Sequence, residues 1–322
     1  MYISFKQYFL LTLRLNDLDF SKDSPRETDN MAIPFKINYC SVVKFNIVRP
    51  AGEHQGIFVE WAELMYFAIR ELGYEATIKV AEFCETCINI VIGIHFEDSF
   101  LDSLPDDSVI INTEPLFAGP MWQAWSEKAM KYASKYRIWD YDDKNISTWA
   151  SHGFNDVEFF KFGYQRELKR IPKLEESNSP IDILFYGSFV ERRVAILDKL
   201  QRSGIRLETL FGVYGDKRDE VISRSKLVIN IHAQESGMFE IVRAHYLLNN
   251  GIAMVCEVNE NTSIETRILE CIEGAPYSDL VERCHAVLEN EIRLTELRER
   301  SLERFSRYPQ VAFMEPLIGR LK

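Results

Sequence analysis

Along residues 42–256 short runs of β-branched and aromatic residues alternate with longer amphipathic stretches, the signature of βα units around a parallel sheet. The first unit is the most regular. Residues 42–48 read as a buried strand and residues 50–56 as a turn-rich loop; Ile57, Trp61, Leu64, Met65, Ala68 and Leu72 then share one face of a helix that Gly73 can cap. The pattern predicts further strands at 76–80, 88–94, 108–113 and 136–139, then a helix capped by Asp142 that stops at Gly153. Residues 166–180 carry two prolines, charge and no apolar period, and read as a linker. Beyond it strands are expected at 181–186, 206–211, 227–232 and 252–256, separated by helices that end at Arg202 and span 216–225 and 240–249, with a charged helical stretch from residue 277.

Two α/β repeats in 322 residues imply two Rossmann-like domains, at 41–165 and 181–305, with an arm at 1–40 and a tail at 306–322. Apolar residues at 46% and charged residues at 27% are ordinary for a globular chain. A net charge of −11 argues against nucleic acid as a partner, because phosphate backbones need a concentrated basic surface; a local basic pocket for one phosphorylated ligand is still allowed. The six cysteines are dispersed, so they read as reduced, mostly buried thiols, and Cys84-Glu-Thr-Cys87 lacks a second Cys/His pair at metal spacing. That favours a cytoplasmic protein. Lys6 and Arg14 interrupt the apolar opening well short of the roughly 20 residues of a membrane span, which leaves only peripheral membrane contact. The sequon Asn145-Ile-Ser147 is accidental in such a chain.

Ligands of open parallel sheets collect beyond the carboxyl ends of the strands. Gly187 and Ser188 follow a strand directly. Ser188 with Glu191 forms a capping-box pattern, and the same loop, with helix amides and the forked guanidinium of Arg192 or Arg193, suits a diphosphate. Asn230 and His232 end another strand and precede Glu240 and Arg243, where a sugar or ribose could be gripped. The structural alternative is that Glu240 only complements the helix dipole, worth about 0.3–1 kcal/mol, and that Arg243 lies on the surface.

Taken together, residues 181–193, 210–215, 227–232, 239–243 and 247–251 resemble the donor-binding half of GT-B-fold glycosyltransferases, in particular the bacterial family-1-like group. The resemblance is strongest over 181–305. In the first half only Asn112-Thr-Glu114 and residues 136–141 fit it. It implies two domains facing across a cleft, with C-terminal helices packing back toward the first domain. It further implies a nucleotide-sugar donor in the second domain, a glycan or small-molecule acceptor in the first, and a role in polysaccharide or glycoconjugate biosynthesis. Gly187, Ser188 and Arg192 or Arg193 would face the diphosphate, Phe211, Gly212, Val213 and Tyr214 the base, and Glu240 with Asn230, His232 and Arg243 the ribose or sugar hydroxyls. Many retaining members carry two glutamates eight residues apart; here those positions are Met238 and Tyr246. An inverting member needs a general base on the first domain, and His95 and Glu114 stand at strand ends where one belongs. Asp140-Tyr-Asp142 resembles the metal-holding pair of other transferases, yet Asp142 serves equally as a helix cap, so no cofactor or metal is expected. A Rossmann-type oxidoreductase would need a G-x-G-x-x-G after a strand, which is missing. A nucleotide-sugar-binding protein without turnover is the other alternative.

Overall fold

The computed structural model describes residues 43–52, 55–117, 119–172, 180–234 and 237–321. The expected arm, Cys40 and residues 173–179 of the expected linker lie outside the described residues.

The first sheet is built from β1 (Lys44–Arg49), α1 (Val59–Glu71), β2 (Glu75–Val80), β3 (Ile88–Ile92), α2 (Asp98–Asp102), β4 (Val109–Ile111), α3 (Gln123–Ala133), β5 (Arg137–Asp140), α4 (Asp143–Ser151) and β6 (Glu158–Phe159). Its six strands are parallel in the order β2-β1-β3-β4-β5-β6. The inner strand β3 is buried at every position, as a parallel strand covered on both faces must be, whereas edge strand β2 is largely exposed. The predicted face of α1 is the buried one, with Trp61, Leu64, Met65 and Ala68 in the core.

The second sheet comprises β7 (Ile181–Tyr186), α5 (Glu191–Arg202), β8 (Leu207–Leu210), α6 (Asp216–Ser223), β9 (Ser225–Asn230), α7 (Ile241–Asn249), β10 (Met254–Glu257), α8 (Thr266–Leu269) and β11 (Glu273–Ala275). Five parallel strands run in the order β11-β10-β9-β7-β8. Three helices close the chain: α9 (Leu280–Leu288), α10 (Glu291–Ser306) and α11 (Gln310–Gly319). The chain returns to the first domain through Tyr164, whose N–H donates to the Tyr308 carbonyl at 2.8 Å, and α11 packs against α1. One apolar core joins the domains, running from Ile47 and Trp61 through Met314 of α11 to Leu247 of α7 and Val228 of β9. Fully burying each such side chain is worth about 1.5–3 kcal/mol, so the two sheets are held by packing as well as by polar contacts.

Three local expectations need correction. Ser188 and Glu191 form no capping box: α5 starts at Glu191, its cap residue Val190 has no side-chain bond, and the Ser188 hydroxyl accepts from Arg193 Nη1 at 2.8 Å instead. The cysteines are not all reduced, because Cys84 and Cys87 are joined as a disulfide with Cα atoms 5.3 Å apart, while Cys256, Cys271 and Cys284 are free and buried. Helix α3 escaped the apolar pattern because the face it buries is made of Ser126, Ala129 and Tyr132, too small and polar to register as a stripe.

Candidate functional site

The loops after β1, β3, β4 and β5 of the first sheet and after β7, β8 and β9 of the second open into one cavity of about 1080 Å³ between the sheets. From the first domain it is lined by Phe58 after β1, His95 after β3, Glu114 after β4 and Tyr141 after β5. From the second it is lined by Gly187 after β7, Phe211 after β8, Ala233 after β9 and the start of α7 at Glu240 and Arg243. The walls approach closely: a Cβ on Gly56 of the first domain would overlap the Tyr214 ring of the second.

On the first-domain wall His95 Nε2 lies 3.0 Å from Thr113 Oγ1 and 3.0 Å from Glu114 Oε1. The imidazole packs against the rings of Phe58 and Trp125. Behind this wall Asp140 is 0% exposed and accepts from Asn112 Nδ2 at 2.7 Å, Trp149 Nε1 at 2.8 Å, the Asp142 amide at 3.0 Å and Asn145 Nδ2 at 3.2 Å. Burial raises its carboxyl to about 7 against those four donors. It ties β4, β5 and α4 together. Asp142 caps α4 through the Lys144 and Asn145 amides at 2.9 and 3.3 Å. Among the described residues no cluster of three His, Cys, Asp or Glu side chains could hold a metal.

On the second-domain wall Gly187 has φ 143°, and a Cβ there would lie 2.5 Å from Arg243 Nη2, so only glycine lets that guanidinium approach the strand end. Arg193 is 2% exposed and its donors are engaged: Nε with the Ile231 carbonyl at 2.9 Å, Nη1 with Ser188, Nη2 with Glu240. Burial lowers its pKa. Arg192 turns away from Arg193 and makes a bidentate pair with Glu257, at 2.6 and 2.8 Å; it also donates to the His232 carbonyl and stacks 4.3 Å from the Tyr277 ring centroid. Arg243 Nη1 donates to Asn230 Oδ1 at 2.6 Å.

Of the residues singled out in the sequence, His95, Glu114, Gly187, Ser188, Arg192, Arg193, Phe211, Gly212, Val213, Tyr214, Glu240 and Arg243 all line the cavity. Asn230 and His232 stand behind it, Asn230 holding Arg243 and His232 joined through its amide to Glu257 at 3.0 Å, with burial lowering the imidazole pKa. The sequence did not reveal Glu60, Tyr186, Arg218 or Glu257. Arg218 of α6 reaches Glu60 of α1 at 2.8 Å and Asp219 at 2.7 Å, and Tyr246 donates to the other Asp219 oxygen, so a buried ion network spans the two domains under the cavity. Tyr186 and Glu257 are the last residues of buried strands, and a polar side chain in that position was the available signal.

Two facing parallel-sheet domains with a cleft at their strand ends and a C-terminal helix returning to the first define the GT-B fold of glycosyltransferases. Similarity to known proteins agrees. An alpha-glucosyltransferase solved with UDP and a 13-mer DNA containing an HMU base has TM-score 0.62 and 10% identity, covering 87% of this chain and 99% of that one. Anabaena Alr3699/HepE with UDP and glucose has TM-score 0.58 and 8% identity over 87% and 99%, and T4 phage BGT with UDP-glucose has 0.56 and 11% over 87% and 99%. At such identities the likeness establishes the fold. No family model matches the chain. In sequence it is 30% identical over 162 residues to uncharacterized protein L137 of Acanthamoeba polyphaga mimivirus, covering 48% of this chain and 21% of that protein. Uncharacterized protein R358 of the same virus is 27% identical over 173 residues, 52% and 59% of the two chains. The chain thus spans between about a fifth and three fifths of the curated relatives it matches.

Proposed function

We propose that the chain is a glycosyltransferase: the second domain holds a nucleoside diphosphate sugar and the first presents an acceptor hydroxyl to it. The observation that carries this reading is the shared cavity, in which a His–carboxylate pair from one sheet faces a glycine loop and arginines from the other. In the reaction the His95–Glu114 pair accepts the hydroxyl proton, the acceptor oxygen bonds to the anomeric carbon, and the bond from that carbon to the phosphate oxygen breaks with its electrons leaving on the nucleotide. The loop after Gly187 and the guanidinium groups around it meet the developing charge, so no cation is required. A base opposite the donor supports direct displacement with inversion, in keeping with Met238 and Tyr246 where retaining members carry glutamates.

The resemblance to bacterial transferases supports a glycan or small-molecule acceptor and a setting in polysaccharide or glycoconjugate assembly. One neighbour was solved with DNA, but a net charge of −11 disfavours duplex DNA as the acceptor here. Among the described residues no helix is long and apolar enough to cross a membrane. The test is incubation with UDP-, GDP- and dTDP-sugars, with and without EDTA, followed by assay of released nucleotide. Release supports a transferase. Nucleotide binding without release from any donor would instead identify a nucleotide-sugar-binding protein.

A further inference from the structure

The arginines that catch the eye in the sequence are the ones most fully occupied. Arg192 is clamped to Glu257 and Arg193 to Glu240, Ser188 and Ile231, so their hydrogen-bonding capacity is largely spent within the second domain. The cavity floor between β7 and α6 differs. Arg218 uses Nε and Nη2 on Asp219 and Glu60, and among the described residues its Nη1 makes no hydrogen bond. Arg243 uses Nη1 on Asn230, and its Nη2 stays 3.9 Å from Glu240, beyond hydrogen-bond distance. Between them stands Tyr186, whose ring centroid lies 5.2 Å from the Arg243 and 5.9 Å from the Arg218 guanidinium carbon. Its hydroxyl has no hydrogen-bond partner among the described residues, and all three side chains line the cavity.

A guanidinium can only donate, and a phenol flanked by two guanidinium groups favours a ligand oxygen that accepts from all three. We infer that Tyr186, Arg218 and Arg243 form a donor-lined floor that takes a phosphate group of the nucleotide, while Arg192 is a structural clamp outside that contact. Phosphate oxygens offer only acceptors, and hydrogen bonds from charged donors to an anion are the strong ones in a partly buried site. The inference rests on the donor reading above and adds the residues that hold the anion. Glu60, which also lines the cavity, and Asp219 fix the Arg218 guanidinium, and Asn230 does the same for Arg243, so the floor is organised before a ligand arrives.

Calorimetry with UDP, uridine and inorganic pyrophosphate separates the contacts. Tyr186→Phe removes one oxygen and keeps the ring; it should weaken UDP and pyrophosphate at least about fivefold and leave uridine within about twofold. Arg218→Lys keeps the charge and loses the fork, and should show the same selectivity, with its melting curve read alongside to confirm folding. Unchanged UDP affinity in Tyr186→Phe, or equal losses for UDP and uridine, would overturn the floor while leaving the donor reading intact. A wild-type chain that binds none of UDP, GDP, dTDP or pyrophosphate would overturn both.

Discussion

Arg192 and Glu257 make the sharpest energetic prediction. Glu257 is 1% exposed, and its carboxylate is matched by two bonds from Arg192 and one from the His232 amide. Arg192→Met keeps the stem over Tyr277 but leaves that carboxylate buried against one neutral donor. Breaking a buried pair from one side costs about 3–5 kcal/mol, because the remaining charge stays desolvated without its partner. For a domain of this size each kcal/mol moves the melting temperature by about 2–4 °C, so a fall of roughly 6–20 °C is expected by circular dichroism. Adding Glu257→Gln removes the orphaned charge and leaves an oxygen for the His232 amide. The double variant should therefore recover at least about half of the loss, since replacing both members of a buried pair is often close to neutral. A single variant that melts within about 2 °C of wild type would refute the clamp. So would a double variant as unstable as the single one, since the cost would then lie in lost packing rather than in an uncompensated charge.

His95→Ala or Glu114→Gln should lower kcat by roughly 100-fold with UDP affinity unchanged, read by steady-state kinetics and calorimetry on the same preparations. Glu240→Gln keeps a neutral acceptor for Arg193, which also bonds Ser188 and the Ile231 carbonyl; it should cut transfer at least about tenfold, about 1.4 kcal/mol of barrier, with a smaller fall in melting temperature than Arg192→Met. Transfer should survive excess EDTA; abolition with rescue by manganese would return Asp140 and Asp142 to consideration as ligands. His245 is fully buried beside Phe162, and burial lowers its pKa to about 4. A depressed folded-state pKa means that the unfolded chain takes the proton first, so this contribution is whole above about pH 6.5 and is lost as pH falls toward 4, by up to about 3 kcal/mol. Urea midpoints between pH 7 and 5 should fall more steeply for wild type than for His245→Phe.

The alternation of strands and helices was legible because a strand covered on both faces is nearly all apolar: β3 and β7 announce themselves, each with a single polar residue, Asn89 and Asp182, among apolar and aromatic ones. The strand ends were legible for the same reason, and with them Gly187, Glu114 and His95. What lay hidden was pairing across long sequence separations. Glu60 meets Arg218 across 158 residues, and Arg192 meets Glu257 across 65. Even the local capping-box rule failed at Ser188, where a buried guanidinium five residues on needed the hydroxyl more than the helix did.

These failures share a cause that bears on how the site should be read. A guanidinium taken out of water must be met by a carboxylate or by carbonyls, or the cavity wall could not form. Arg192, Arg193, Arg218 and Arg243 look alike in sequence, yet each is committed to a different partner: Glu257, Glu240, the Glu60 and Asp219 pair, and Asn230. The number of arginines near a strand end therefore overstates the charge on offer to a ligand. The better measure is the set of donor atoms still without an acceptor once those internal debts are met. By that measure the anion belongs over Tyr186, between α6 and α7, and the motif that first suggested a diphosphate site marks its rim.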